Sequence, residues 1–227
     1  MKLSARTLTI LKNFGNLNPG IIFVPGQVIS LFSQAGNGAA LARVEEEFPS
    51  RCAITNLQTF INVLTSFDNP SLSFKDKYLT ISQENRSVKI VYGEESFIYK
   101  EKDQTPPTSE DDIELPETIG TFSMNEAELK NLIRVSNAMH FPNIAVVGEN
   151  GILSLQGIDP KNVTGDVYKT ELGEVNKEFR LVFTMDQFNN LLSMDYDVNV
   201  SFGGLRMTGK DVTYWLVFEE QKSTYGK

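Results

Sequence analysis

The chain has 227 residues, a net charge of −8 and one cysteine. That length holds one large domain or two of roughly 100 residues each, and no apolar run approaches the ~18 residues of a membrane helix. Bulk acidity argues against binding polyanions, while the single Cys52 allows no internal disulfide and fits a reducing cytoplasm.

The charge is unevenly spread. Met1 to Val44 contains Lys2, Arg6, Lys12 and Arg43 and no acid, whereas acid gathers in EEE at Glu45–Glu47 and SEDDIE at Ser109–Glu114. A chain segregated in this way can present one basic face while remaining acidic as a whole.

In chain order, MKLSARTLTILKNF has a basic start but no long apolar core and no small-residue cleavage site. It reads as an amphipathic helix rather than a signal peptide, with Ser4 as N-cap and Leu8, Leu11 and Phe14 as its apolar stripe. Gly15, Asn18, Pro19 and Gly20 end it. The stretch IIFVPGQVISLFSQAGNGAALARVEEEF predicts two or three strands broken at PG and GNG. A second helix is expected over Asn56–Phe67, with Leu57, Phe60, Val63 and Leu64 on one face. Strands are then expected at SLSF, YLTIS, VKIVY and SFIYK.

Glu101 to Glu117, rich in charge, Pro and Ser/Thr, reads as an exposed connector. The pattern then restarts. SMNEAELKNLIRVSNAM predicts a helix capped by Ser123, with Glu126 three residues on as a capping box. Strands around NIAVVGENGILSLQGI, VYKTEL and EFRLVF follow. A helix at TMDQFNNLLSM and strands at VNVSF, LRMTG and TYWLVF complete the chain.

The order helix, strands, helix, strands thus occurs twice. At an offset of 128, LQTFINVLTS lies over MDQFNNLLSM, with Phe60 on Phe188, Asn62 on Asn190 and Leu64 on Leu192. For the first helices, 122 superposes Lys12 on Arg134, whereas 124 superposes Arg6 on Lys130 and Asn13 on Asn137. Both remain open. A repeat this long signals duplicated domains rather than a solenoid.

On a helical wheel, Lys2, Arg6, Thr9 and Asn13 oppose the first helix's stripe. Lys130, Arg134 and Asn137 likewise oppose Leu129, Leu132, Val135 and Met139 in the third. A solvated face is the ordinary meaning of such residues; their recurrence at equivalent places points to a shared polyanion. The second helices offer only Gln, Asn and Thr, so contact with nucleic acid would be loose, salt-sensitive and without base readout.

Catalysis finds no constellation. His140 is the only histidine, one His and one Cys build no ordinary zinc site, SEDDIE lies in the connector, and GNG and FGGL read as turn glycines. No cofactor is expected.

Two tandem helix–sheet–helix–sheet units joined by an acidic connector resemble the DNA sliding clamps, above all those of T-even-type bacteriophages. The residues carrying the likeness are MKLS, ILKNF at Ile10–Phe14 leading into NPGI, and LIRVS at Leu132–Ser136. The resemblance implies an α+β DNA-clamp fold, helices lining a ring and antiparallel sheets outside. It divides the chain into domains 1–105 and 120–227 with a connector at 106–119.

It further implies a non-enzymatic processivity factor in the cytoplasm of an infected host cell: a homotrimer encircling double-stranded DNA, set in place by an ATP-driven clamp loader. Lys2, Arg6, Lys12, Asn13, Lys130, Arg134 and Asn137 would face the DNA. The polymerase's C-terminal peptide would dock against Leu41, Ile113, Leu115, Pro116, Trp215 and Phe218. Phage clamps of this kind also serve late-transcription factors, and the residues leave open whether this chain does. They leave open equally an acidic two-domain structural or assembly scaffold without DNA tethering.

Overall fold

The computed structural model describes residues 1–99, 105–162 and 164–225. Residues 101–104 of the expected connector, Lys100 of SFIYK and Val163 lie outside the described residues. The chain forms two units, Met1–Ile113 and Glu114–Lys227, divided inside the stretch expected to be connector.

The first unit opens with α1 (Ala5–Leu17). Ser4, in extended backbone, accepts the Thr7 N–H, and Thr7, Ile10, Leu11 and Phe14 are buried. The helix stops at Asn18, whose side chain accepts from Gly20 and donates to the Phe32 carbonyl. Next come β1 (Ile21–Phe23), β2 (Gly26–Phe32), β3 (Gly38–Phe48) and β4 (Cys52–Ile54). α2 (Leu57–Thr65) and a meander of β5 (Ser71–Phe74), β6 (Tyr78–Gln83) and β7 (Arg86–Val91) follow. β1 pairs with β4, and β2 with β3. Phe23 stacks on Phe48 at 4.5 Å, with Phe60 and Phe74 edge-on, which places the core between α2 and the strands. Phe23, Phe48 and Phe60, fully buried, each contribute about 1.5–3 kcal/mol.

The second unit contains β8 (Thr118–Met124), α3 (Glu126–Ala138), β9 (Asn143–Glu149), β10 (Ile152–Ile158), β11 (Tyr168–Glu174) and β12 (Phe179–Thr184). It continues with α4 (Met185–Asn189), β13 (Tyr196–Ser201), β14 (Gly204–Thr208), β15 (Val212–Leu216) and β16 (Thr224–Tyr225). One antiparallel sheet runs β11-β10-β9-β12-β16. In the other, β8, β13, β14 and β15 pair in that order. The succession helix, four strands, helix, three strands occurs in both units, as α1 through β7 and as α3 through β15.

Several elements differ from expectation. α3 is capped by Asn125 and closed by Glu128, not by Ser123 and Glu126. Ser123 belongs to β8, an unexpected strand, where pairing with β13 keeps it extended and its hydroxyl bonds Asp197 at 2.7 Å. α4 ends at Asn189, short of Met194, because tyrosine hydroxyls take the Leu192 backbone: Tyr196 donates to its carbonyl and Tyr214 accepts from its N–H. Ser96–Tyr99, the described part of SFIYK, is not a strand. Arg51 grips Glu95 in a two-pronged ion pair at 2.7 Å, and residues 95–97 form a 3₁₀ turn. β4 and β16 are too short for any pattern to announce.

The offset of 128 carries the α2 cap, Asn56, onto the α4 cap, Thr184, and buried Phe60 onto buried Phe188. For the first helices, 122 carries Thr7, Ile10 and Phe14 onto Leu129, Leu132 and Ser136, all buried. Burial therefore selects 122, and Lys12 corresponds to Arg134.

Candidate nucleic-acid interface and docking residues

On α1 the buried stripe leaves Arg6, Thr9 and Lys12 exposed and Asn13 half-buried; Lys2 is exposed just before the helix. The stripe itself is Thr7, Ile10, Leu11 and Phe14, with Leu8 only half-buried, so it lies slightly around the helix from the expected line. The helix start is held by Glu46 of β3, which accepts the Ser4 N–H and, at 2.6 Å, the Thr7 hydroxyl. Partial burial pushes the Glu46 carboxyl up, but the bonds from Thr7 and Ser4 together outweigh it and hold the group below its ordinary range. One member of the EEE run is thus a helix anchor. The signal that singles it out is alternation: Glu46 shares a strand face with buried Val44 and Phe48, whereas Glu45 and Glu47 point to the other face and are exposed.

On α3, Lys130, Arg134 and Asn137 are all exposed. Lys130 pairs with Glu126 at 2.6 Å, Arg134 donates to Asn131 at 2.7 Å, and Asn137 donates to Asn189 of α4 at 3.0 Å. α2 presents Gln58, Thr59, Asn62 and Thr65 outward. Each unit therefore shows a helix pair with cationic and amide groups outside and apolar groups against its sheet. Exposed cations of this type hold phosphates loosely and without base readout.

The docking residues divide between the units. In the first, Leu41 of β3 is buried at 1% and Ile113 is half-buried. The chain before Ile113 is knotted by Asp112, whose carboxylate accepts from the backbone and hydroxyl of both Thr108 and Ser109 and is held at about 2. In the second unit Trp215 and Phe218 are buried, Leu115 is half-buried and Pro116 is exposed. Leu115 and Pro116 lie against Gly203, where a Cβ would come within 2.5 Å of Pro116 Cδ. Gly204, at φ +136°, backs onto the Leu216 carbonyl, so neither glycine of FGGL accepts a side chain.

Sequence reasoning missed Phe202 beside them. Its ring lies 5.5 Å from Tyr225 and 6.4 Å from Phe179, with Lys177 Nζ at 5.6 Å, and Lys177 also reaches Glu117 at 3.3 Å. The available signal was an aromatic followed by two glycines, which marks close backbone approach as well as a turn.

His140 is exposed at φ +56° past the end of α3, and burial pushes the Cys52 thiol up to about 11, which keeps it protonated. Among the described residues no cluster of His, Cys, Asp and Glu could hold a metal, and no helix is long and apolar enough to cross a membrane.

No protein-family model matches the chain. It is 25% identical over 227 residues to the sliding clamp of Vibrio phage KVP40, covering 96% of this chain and 99% of that one. It is 25% identical over 194 residues to the sliding clamp of Enterobacteria phage T4, covering 83% and 82%. Among solved structures it is similar to the PCNA of A. fulgidus bound to the C-terminal region of FEN-1, with TM-score 0.65, 14% identity and coverage of 93% and 94%. The chain thus has a DNA-clamp fold, and in sequence, along nearly its whole length, it is similar to the sliding clamps of T-even-type bacteriophages.

Proposed function

We propose that this chain is a DNA sliding clamp: a homotrimeric ring that encircles duplex DNA and tethers the replicative polymerase in the cytoplasm of an infected host cell, placed by an ATP-driven loader. The observation that carries the reading is the duplicated helix whose outer face is cationic in both copies, with Lys12 and Arg134 in register. Such a ring acts without catalysis. It holds by topology, and weak phosphate contacts from Lys2, Arg6, Lys12, Lys130 and Arg134, with Asn13 and Asn137, let it slide. Net charge of −8 per chain is no obstacle, because the acid lies largely elsewhere.

Closure head to tail suits two edge strands of opposite charge. β7 of the first unit carries Arg86 and Lys89 and no acid, and β11 of the second carries Glu171 and Glu174 with one base, Lys169, already paired with Glu171 at 3.2 Å. A relative's structure holds a peptide of FEN-1; here the docking residues Leu41, Ile113, Leu115, Pro116, Trp215 and Phe218 would serve the polymerase's C-terminal peptide and, through the same site, late-transcription factors.

Light scattering should give the mass of three 25.4 kDa chains, and the protein should stay on nicked circular DNA until the circle is linearised. Replacing Arg6, Lys130 and Arg134 with Ala should lower processivity more than trimer formation. A monomer at high concentration, with no retention on circles, would favour an acidic assembly scaffold instead.

A further inference from the structure

The second unit holds an aromatic cradle that DNA binding does not use. Phe202 stands at the β13–β14 turn, Phe218 follows β15 and Phe179 opens β12. Into it the chain lays its own Tyr225, stacked on Phe202 at 5.5 Å and 27° and edge-on to Phe218 at 5.1 Å and 70°. Tyr225 nevertheless stays 38% exposed, whereas Phe179 and Phe218 are 4% and 7% exposed.

Its backbone is held lightly. Among the described residues, β16 pairs Tyr225 with Phe179 and Thr224 with Arg180. Further along β12, the Val182 N–H donates to a side chain, Ser223 Oγ, at 2.9 Å rather than to a strand carbonyl. A cavity of about 490 Å³ opens beside the segment, lined in part by Gln156, Glu178, Arg180 and Tyr225. A two-residue strand at a sheet edge is marginal by itself. The next residue after Phe202 is Gly203, against which Leu115 and Pro116 pack, so the cradle is continuous with the docking residues.

We infer that residues 223–225 form a displaceable strap over the peptide-docking site, with Tyr225 holding the place of an aromatic side chain on an incoming extended peptide. The inference rests on the docking-site reading above. An aromatic-bearing peptide would take over the stacking on Phe202 and Phe218, and would add to the β12 edge where Thr224 and Tyr225 now pair. Because strap and peptide compete, the apparent affinity falls by the fraction of chains whose cradle is open.

The probe is a fluorescein-labelled Gly/Ser/Asp peptide with two adjacent phenylalanines, with a dialanine counterpart as control. It is titrated by anisotropy against the full chain, Tyr225→Ala, Tyr225→Phe and Leu115→Asp. Tyr225→Ala should bind about two- to tenfold tighter, the scale of one released aromatic contact. Tyr225→Phe should match the unaltered chain, and Leu115→Asp should lose binding. In Tyr225→Ala the Val182 amide should also exchange faster with solvent while β9 amides stay protected, showing an opened strap in a folded protein.

Equal or weaker binding by Tyr225→Ala, or unchanged exchange at Val182, overturns the strap; loss of binding in Leu115→Asp would then leave the docking site standing. If no variant prefers the phenylalanine peptide to its control, the docking-site reading falls and the strap with it.

Discussion

Helices α1 and α3 are both 13 residues long and share three buried positions, yet their N-termini are neutralised from different places. α3 carries its own acids: Glu126 and Glu128 lie in its first turn, and Asp195 accepts the Glu126 N–H at 2.8 Å. α1 has none in its first turn and borrows Glu46 from β3. The helix dipole favours a carboxylate at either start. What differs is the outer face. With its carboxylate supplied from the sheet, α1 keeps its exposed side free of acidic residues, whereas on α3 Lys130 is paired with Glu126. The two copies thus share a fold requirement while differing in the charge they show outward.

The deepest way to break the comparison is through the cores beneath the shorter helices. Phe60 and Phe188 are 0% and 1% exposed, and each meets one phenylalanine edge-on, Phe23 at 6.1 Å and Phe183 at 6.3 Å. Phe60→Ala and Phe188→Ala should each cost about 3–5 kcal/mol in urea unfolding. A much smaller cost for Phe188 would mean that α4, with five residues against nine in α2, is no longer an equivalent part of the core.

A smaller effect separates the helix starts. Glu46→Ala leaves the Ser4 N–H and Thr7 hydroxyl without their acceptor, a loss of about 1–2 kcal/mol at a half-exposed site. Glu128→Ala removes an exposed capping-box partner and should cost about 0.5 kcal/mol. Acid sharpens the contrast. The folded-state value for Glu46 lies below the ordinary 4.5, so its contribution is fully present above that pH and is lost as pH falls through the folded value. Unfolding followed from neutral pH into that range should show the loss, and Glu46→Ala should remove it. Identical acid profiles for the two chains would show that Glu46 does not hold α1.

How much of this was legible beforehand follows from the range over which each feature acts. The duplicated order of elements, the α1 cap at Ser4 and the outward cations depend on periodicity and nearby residues, and each could be read directly. The register of the first helices could not, because 122 and 124 both align apolar residues with apolar ones; only burial of polar Thr7 and Ser136 decides it. Ser123 and Asn125 both stand three residues before a glutamate, and the choice between them is made by β13, which is distant in sequence. The same holds in the docking region. Leu115 and Pro116 announce themselves as apolar groups in an acidic stretch, whereas Phe202 and Tyr225 become partners only when β16 returns to β12.

The smallest predicted effect lies where the helices of each pair meet. Gly15 corresponds to Asn137 at the offset of 122, and Ile61 to Asn189 at 128, so both units cross at the same point by different means. In the first, a Cβ on Gly15 would lie 3.8 Å from Ile61 Cδ1 and 3.9 Å from Leu57, at ordinary contact distance. In the second, Asn137 Nδ2 donates an exposed hydrogen bond of 3.0 Å to Asn189 Oδ1. Gly15→Ala should therefore stabilise by about 0.5–1 kcal/mol, since the glycine's entropy cost is removed and the new methyl finds room. Asn137→Ala loses an exposed hydrogen bond of about 0.5 kcal/mol and gains helix propensity of similar size, for a net change near zero. Thermal unfolding should show Gly15→Ala raised by a few degrees and Asn137→Ala unmoved. A destabilised Gly15→Ala would mean that α1 and α2 pack too closely for a methyl group. A strongly destabilised Asn137→Ala would make the α3–α4 crossing depend on its side-chain hydrogen bond rather than on the apolar residues beneath.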